Sequence, residues 1–157
     1  MWKGEWDFWT SGEAEAKLDE HFRDVLLSFV RKNLPPIQDR LDLIEREREI
    51  LRGIQAISAP GHTPGHMALS IFSEGDHLLN IVDTVLHPIH LAQPEWCAAV
   101  DFAPDQVVAT RRRLLSRAVA EKSLVLAFHF PFPGLGHIVQ KGEEWEWQPA
   151  FQDLSRS

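Results

Sequence analysis

Ala59-Pro60-Gly61-His62-Thr63-Pro64-Gly65-His66 sets two histidines four residues apart, each directly after a glycine. Two prolines keep the segment from being helical. Proline fixes φ and removes a backbone donor, while glycine admits backbone angles that other residues avoid. Apolar, strand-like runs flank it, Ile54 to Ser58 before and Met67 to Phe72 after. The stretch reads as a rigid loop at a strand end that presents imidazoles for chemistry.

Working outward, Met67 to Ser73 and His77 to Asp83 are two short apolar runs joined by the turn signal Glu74-Gly75-Asp76. Ser123 to Phe128 is another such run, and His129 ends it. His137 to Gln140 and Trp145 to Gln148, around Lys141-Gly142-Glu143-Glu144, form a closing hairpin. Between the strands lies a loop from Thr84 to Ala103. Pro104-Asp105 then opens a helix, since proline suits the first turn and the helix dipole favours a carboxylate there. Val107, Val108, Leu114, Leu115 and Val119 mark its buried face, and Arg111-Arg112-Arg113 reads as a solvated surface run with one internal salt bridge.

Ahead of the loop, Leu18, Phe22, Val25, Leu26, Phe29 and Val30 recur at helical spacing, which predicts one helix from about Glu13 to Lys32. Thr10, three residues before Glu13, offers a capping box, and Pro35-Pro36 stops the helix. Trp2 to Trp9 is aromatic in a short polar setting. Leu41 to Ile50 suits a surface hairpin or a polar helix, and the hairpin is favoured. The chain is of mixed α/β class.

Composition narrows the partners. The 157 residues are most simply one domain, with a net charge of −7 that argues against nucleic acid or an anionic membrane. No apolar run approaches the roughly 20 residues needed to span a bilayer. Cys97 is alone, so no disulfide forms within the chain, and the reading is a soluble cytoplasmic protein.

His62, Asp83 and His129 share a context, each at or just past the C-terminal end of an apolar run. Rigid sheets fix ligands on such loops, and imidazole with carboxylate suits zinc and related first-row metals. Taken singly, each has a structural explanation: a surface or hydrogen-bonded histidine, or a turn capped by Asp83-Thr84. Both readings stand on the residues alone.

The segments Pro60 to His66, Asp83 after its strand, and His129-Phe130-Pro131-Phe132-Pro133-Gly134-Leu135-Gly136-His137 resemble the metallo-β-lactamase superfamily. The likeness is greatest to its methyl parathion hydrolase-like branch, with His87-Pro88 and the arginine-rich helix similar too. Glyoxalase II and acyl-homoserine lactonases share the general pattern. It runs from about Trp2 to Trp147 and implies an α/β (α+β) fold, the second half of an αβ/βα sandwich, with one mixed or antiparallel sheet and flanking helices. The resemblance implies two divalent metal ions, zinc first, with manganese, iron or cobalt as alternatives. His62 would bind the first ion, Asp83 would bridge both as ligand and catalytic group, and His129 would bind the second. A hydroxide between the ions would attack an ester, lactone or phosphotriester in a small-molecule substrate. His66 would support the ligand loop, and His87 and His137 would line the substrate pocket. His21, His77 and His90 receive no chemical role.

Three departures qualify this expectation. The family's His-x-His-x-Asp-His loop is absent, so residues 1–157 are expected to be a single partial domain, the C-terminal portion of such an enzyme. Each metal would keep two protein ligands, and a bare apolar sheet face would call for the N-terminal half or a homo-oligomer. Val82 stands where the family usually has glycine, with an expected shift of Asp83. Leu86 stands where lactonases of the superfamily place tyrosine, which counts against a homoserine lactonase. The alternative is a non-catalytic truncated domain acting through protein association.

Overall fold

The computed structural model describes residues 1–151. Seven strands form one sheet in chain order: β1 (Arg48–Leu51), β2 (Ile54–Ser58), β3 (Met67–Ser73), β4 (Asp76–Asn80), β5 (Leu124–Leu126), β6 (Leu135–Lys141) and β7 (Glu144–Pro149). Every neighbouring pair is antiparallel except β4 and β5, which run parallel. Glu74 and Gly75 both take positive φ, 52° and 95°, which is the twist a two-residue hairpin needs between β3 and β4. A parallel step requires a long crossover. Residues 81–123 supply it, including α4 (Ile89–Ala92) and α5 (Pro104–Glu121).

This order of directions positions the site. With β3 reversed between them, β2 and β4 point the same way, and β5 follows β4 in parallel. The C-terminal ends of β2, β4 and β5 therefore share one edge of the sheet. His62, Asp83 and His129 each lie a few residues beyond those ends.

The two faces of the sheet differ. On one, Ile57, Leu79, Val125 and Ile138 pack with Leu114, Leu115 and Ala118 of α5 into a fully buried core. The alternate residues Leu69, Ile71, Leu78, Leu124, Leu126 and Leu135 point to the opposite face and are half-buried, outside either buried core cluster.

Several expectations need correction. Most of the aromatic Trp2 to Trp9 stretch, for which the sequence predicts no element, is helical: α1 spans Lys3–Thr10, with Lys3–Asp7 and Glu5–Trp9 pairs one turn apart. The helix expected over 13–32 is broken into α2 (Glu13–Lys17) and α3 (Glu20–Asn33). Leu18 turns extended and buried, and the Asp19 carboxylate accepts from the His21 N–H at 2.9 Å, starting a new helix. The capping box does not form. Thr10 bonds back to the Trp6 carbonyl, and Gly12 takes the N-cap position. Of the apolar positions read along this stretch, Phe22, Val25, Leu26 and Phe29 are exposed. In the Leu41 to Ile50 stretch, only the end becomes β1, and its hairpin is with β2 rather than internal.

Arg111 belongs to the core rather than the surface. Helical spacing puts it on the face of Val107, Leu114, Leu115 and Ala118, and it is 0% exposed. Its guanidinium donates to the carbonyls of Thr84 at 2.9 Å, and of Pro94 and Trp96 at 2.6 Å each. Arg111 thereby ties the long crossover loop to α5. Arg112 and Arg113 are exposed as expected, pairing with Glu95 and Glu47.

Candidate metal centre

The His62 loop is built from close backbone approaches. A Cβ on Gly61 would lie 2.3 Å from the Val107 backbone, and one on Gly65 would lie 1.9 Å from the Glu5 nitrogen. Glycine at both positions lets the loop wedge between α5 and α1. Thr110 donates to the Pro60 carbonyl at 2.7 Å. Glu5 of α1 accepts from the Thr63 hydroxyl at 2.5 Å and from the Gly65 N–H at 3.2 Å. The crossover loop closes the third side, where the N–H groups of Phe102 and Ala103 reach the carbonyls of His62 and Gly61.

Within this frame, His62 Nδ1 lies 3.0 Å from Oδ1 of Asp101, and Oδ2 of Asp101 accepts from the Ala98 N–H at 2.8 Å. His62 Nε2 faces Oδ2 of Asp83 at 3.9 Å, beyond hydrogen-bond range. On the other side of the same carboxylate, His129 Nε2 is 2.9 Å from Oδ1. His66 Nε2 accepts from the Asp83 N–H at 3.2 Å, so this imidazole holds the backbone that carries Asp83. The electrostatics follow the contacts. Burial works against charging His62, but the Asp101 hydrogen bond and the Asp83 and Asp101 carboxylates outweigh it and raise its pKa. Burial is the main cause of the lowered pKa of His66, with the His62 charge adding to it.

Asp83 sits in a 3-10 turn, Val82–Thr84, rather than on the strand. Val82 has φ +43°, in the left-handed region that glycine enters freely and a β-branched residue rarely does. The turn keeps a glycine-type backbone and carries the strain at Val82. That is the physical sense of the departure noted in the sequence.

A cavity of about 740 Å³ opens on this edge. His62, Asp83, Asp101 and His129 lie in its polar part, and Trp9, Leu18, Phe22, Leu26, Leu86 and Phe102 form most of its apolar wall. His87 and His137 do not line it, contrary to expectation. His87 is exposed and accepts from the Ile89 N–H, while His137 on β6 is exposed and bonds the Ser123 carbonyl. Of the histidines with no expected role, His77 and His90 are structural. His77 bridges the Ser70 and Ser123 hydroxyls, and the buried His90 accepts from the Leu86 N–H. Sequence reasoning missed Glu5 and Asp101. Glu5 lies in an unrecognised helix, and Asp101 lay inside a loop with no pattern to mark it.

The donors fit a divalent metal in kind. Neutral imidazole nitrogens and a carboxylate with one oxygen toward each are what zinc accepts. They fall short in number. Among the described residues, no group of three or more His, Cys, Asp or Glu side chains is placed to hold a metal ion.

This α+β arrangement, one mixed sheet of seven strands with flanking helices, matches about half of the metallo-β-lactamase fold. No family model and no curated protein matches the chain. Among solved structures it is similar to AidC, a dizinc quorum-quenching lactonase in complex with the product N-hexanoyl-L-homoserine, at 25% identity and a TM-score of 0.84. That likeness covers 98% of this chain and 55% of AidC. AbOPH, a hydrolase in the beta lactamase superfamily, is 27% identical with a TM-score of 0.79, covering 96% of this chain and 54% of AbOPH. A probable metal-dependent hydrolase from Staphylococcus aureus shows the fold alone, at 21% identity, a TM-score of 0.54, and coverage of 73% and 42%. The chain spans about half the length of AidC and AbOPH. These likenesses do not single out the methyl parathion hydrolase-like branch.

Proposed function

We propose that this chain carries one half of the ligand shell of a dinuclear metal hydrolase, with the remaining donors supplied by polypeptide outside residues 1–157. The convergence of His62 and His129 on the two oxygens of Asp83, at the wall of a large cavity, carries this reading. His62 would hold one ion, His129 the other, and Asp83 both. Ions bound there would polarise a carbonyl or phosphoryl oxygen and acidify water. His66 holds Asp83 in place, and the apolar cavity wall takes the organic part of an ester, lactone or phosphotriester. Leu86 speaks against a homoserine lactone, but the likeness to AidC keeps lactones among the candidates. Zinc is the first expectation for the metal. Free, exposed Cys97 and the lack of a helix long and apolar enough to cross a membrane among the described residues suit a cytoplasmic setting.

The half-buried apolar face bearing Leu69, Ile71, Leu126 and Leu135 supports the same reading, because it offers a second sheet something to cover. It also favours a second one, a domain that acts only through association. Co-expression with a separate chain carrying a His-x-His-x-Asp-His loop on the metallo-β-lactamase fold distinguishes them. The hydrolase reading expects a stable complex with two metals and turnover of an aryl ester, lactone or phosphotriester. A complex that forms without metal or turnover leaves association alone. Two tightly held metals on the 157-residue chain by itself would overturn the shared-shell proposal.

A further inference from the structure

We propose that Asp101 is the positioning residue of the centre, fixing which ring nitrogen of His62 is offered to a metal. A neutral imidazole carries one N–H, and its tautomer is set by the hydrogen bond the other nitrogen makes. The Asp101 side chain is 0% exposed and acts only as an acceptor when ionised. Oδ2 is taken by the Ala98 N–H at 2.8 Å, and Oδ1 meets His62 Nδ1 at 3.0 Å. Nδ1 must therefore carry the proton, and the Nε2 lone pair is left facing Oδ2 of Asp83 across 3.9 Å.

The placement is enforced by the backbone. Phe102 N–H donates to the His62 carbonyl at 3.1 Å and Ala103 N–H to the Gly61 carbonyl at 2.9 Å. These bonds set the register of the crossover loop against the His62 loop. Arg111 secures the other end of the loop through the carbonyls of Pro94 and Trp96. Because Ala99 and Val100 of the same loop line the cavity, one carboxylate orders both a ligand and part of the substrate wall. Carboxylate partners of this kind fix the orientation and raise the basicity of metal-bound histidines.

The role in a metal centre rests on the reading of His62 as a ligand. The tautomer does not, so the two can fail separately. The test is nitrogen-15 NMR of the histidine-labelled 157-residue chain at alkaline pH, where the imidazoles are neutral. The expected result is a His62 proton on Nδ1 in the unmodified chain and a shift toward the Nε2–H form in Asp101→Ala, with His77 and His137 unchanged. Finding the proton on Nε2 in the unmodified chain overturns the proposal and needs no variant to fold. An unaltered tautomer in a folded Asp101→Ala also overturns it. In the co-expressed complex, Asp101→Ala is expected to weaken zinc binding by roughly 10–100-fold. If the tautomer is as stated and no metal binds, the hydrolase reading fails and the orientation of His62 by Asp101 stands.

Discussion

His62 and His129 approach one carboxylate from opposite sides and are held in opposite ways. His62 is tied to a buried aspartate, on a loop wedged between two helices by glycines and clamped by Glu5. Among the described residues His129 has one side-chain hydrogen-bond partner, Asp83 itself, and it lies in a stretch where Phe128 is 75% and Phe132 99% exposed. The chain fixes one of these two imidazoles firmly and leaves the other open. In the shared centre proposed above, the fixed side would act as template and the open side would adjust to whatever completes it.

The sharpest way to break this contrast is to substitute a glycine on each side. Gly61→Ala places a Cβ 2.3 Å from the Val107 backbone at φ +140°, and a loss of at least about 3 kcal/mol is expected. Gly134→Ala, at φ +68° and 2.6 Å from the Ala127 carbonyl oxygen, should cost about 2 kcal/mol. Urea unfolding measures both, and equal losses would erase the difference between the two sides.

Removing the histidines is the next test. His62→Ala strands the buried Asp101 carboxylate with the Ala98 N–H alone, an expected loss of about 2 kcal/mol. His129→Ala deletes a partly exposed pair and should change stability by less than about 0.5 kcal/mol. A larger effect at His129 in the same denaturation assay would show that it, too, is anchored.

Acidity separates His62 from His77 and His90. Burial is the leading cause of the lowered pKa of His90 and of His77. Both are held neutral, so they cost stability as pH falls below the ordinary histidine value of 6.5 toward their folded pKa. His62 has a raised pKa, so its contribution is present below 6.5 and lost as pH rises through its folded value. A stability profile of His90→Gln should fall less steeply between neutral and mildly acidic pH than that of the unmodified chain. A steeper fall would contradict the assignment. The smallest expected effect is at Val82. There, Val82→Gly relieves left-handed strain and gives up packing and chain entropy, for a net gain of up to about 1 kcal/mol. A loss of that size by thermal melting would mean that the positive φ carries no strain.

Much of the sheet could be read from the sequence, because alternation and turn residues are local signals. The β3–β4 and β6–β7 hairpins fall where Glu74-Gly75 and Gly142 place them. His62, Asp83 and His129 were marked because each follows an apolar run, and those three strand ends share one edge of the sheet. The misses were matters of tertiary context. Leu18 could have continued a helix, but the Asp19 cap and its own burial broke it. Arg111 looked like one of three surface charges, although its spacing from Val107 and Leu114 already pointed inward. Asp101 and Glu5 act across 39 and 58 residues of sequence, which no window along the chain can join. His87 and His137 had the right residue type but lie off the cavity.

Trp9 hands the experimenter a built-in lamp. It lines the cavity, and its indole N–H donates to Glu5 at 2.7 Å, one carboxylate away from the Thr63 hydroxyl of the ligand loop. The chain has six tryptophans and no tyrosine, so its near-ultraviolet emission is indole emission alone. Filling the cavity or shifting the loop should change the colour and intensity of that emission, and Trp9→Phe should remove the change. A molecule that enters the cavity can thus be followed by light from the unlabelled protein.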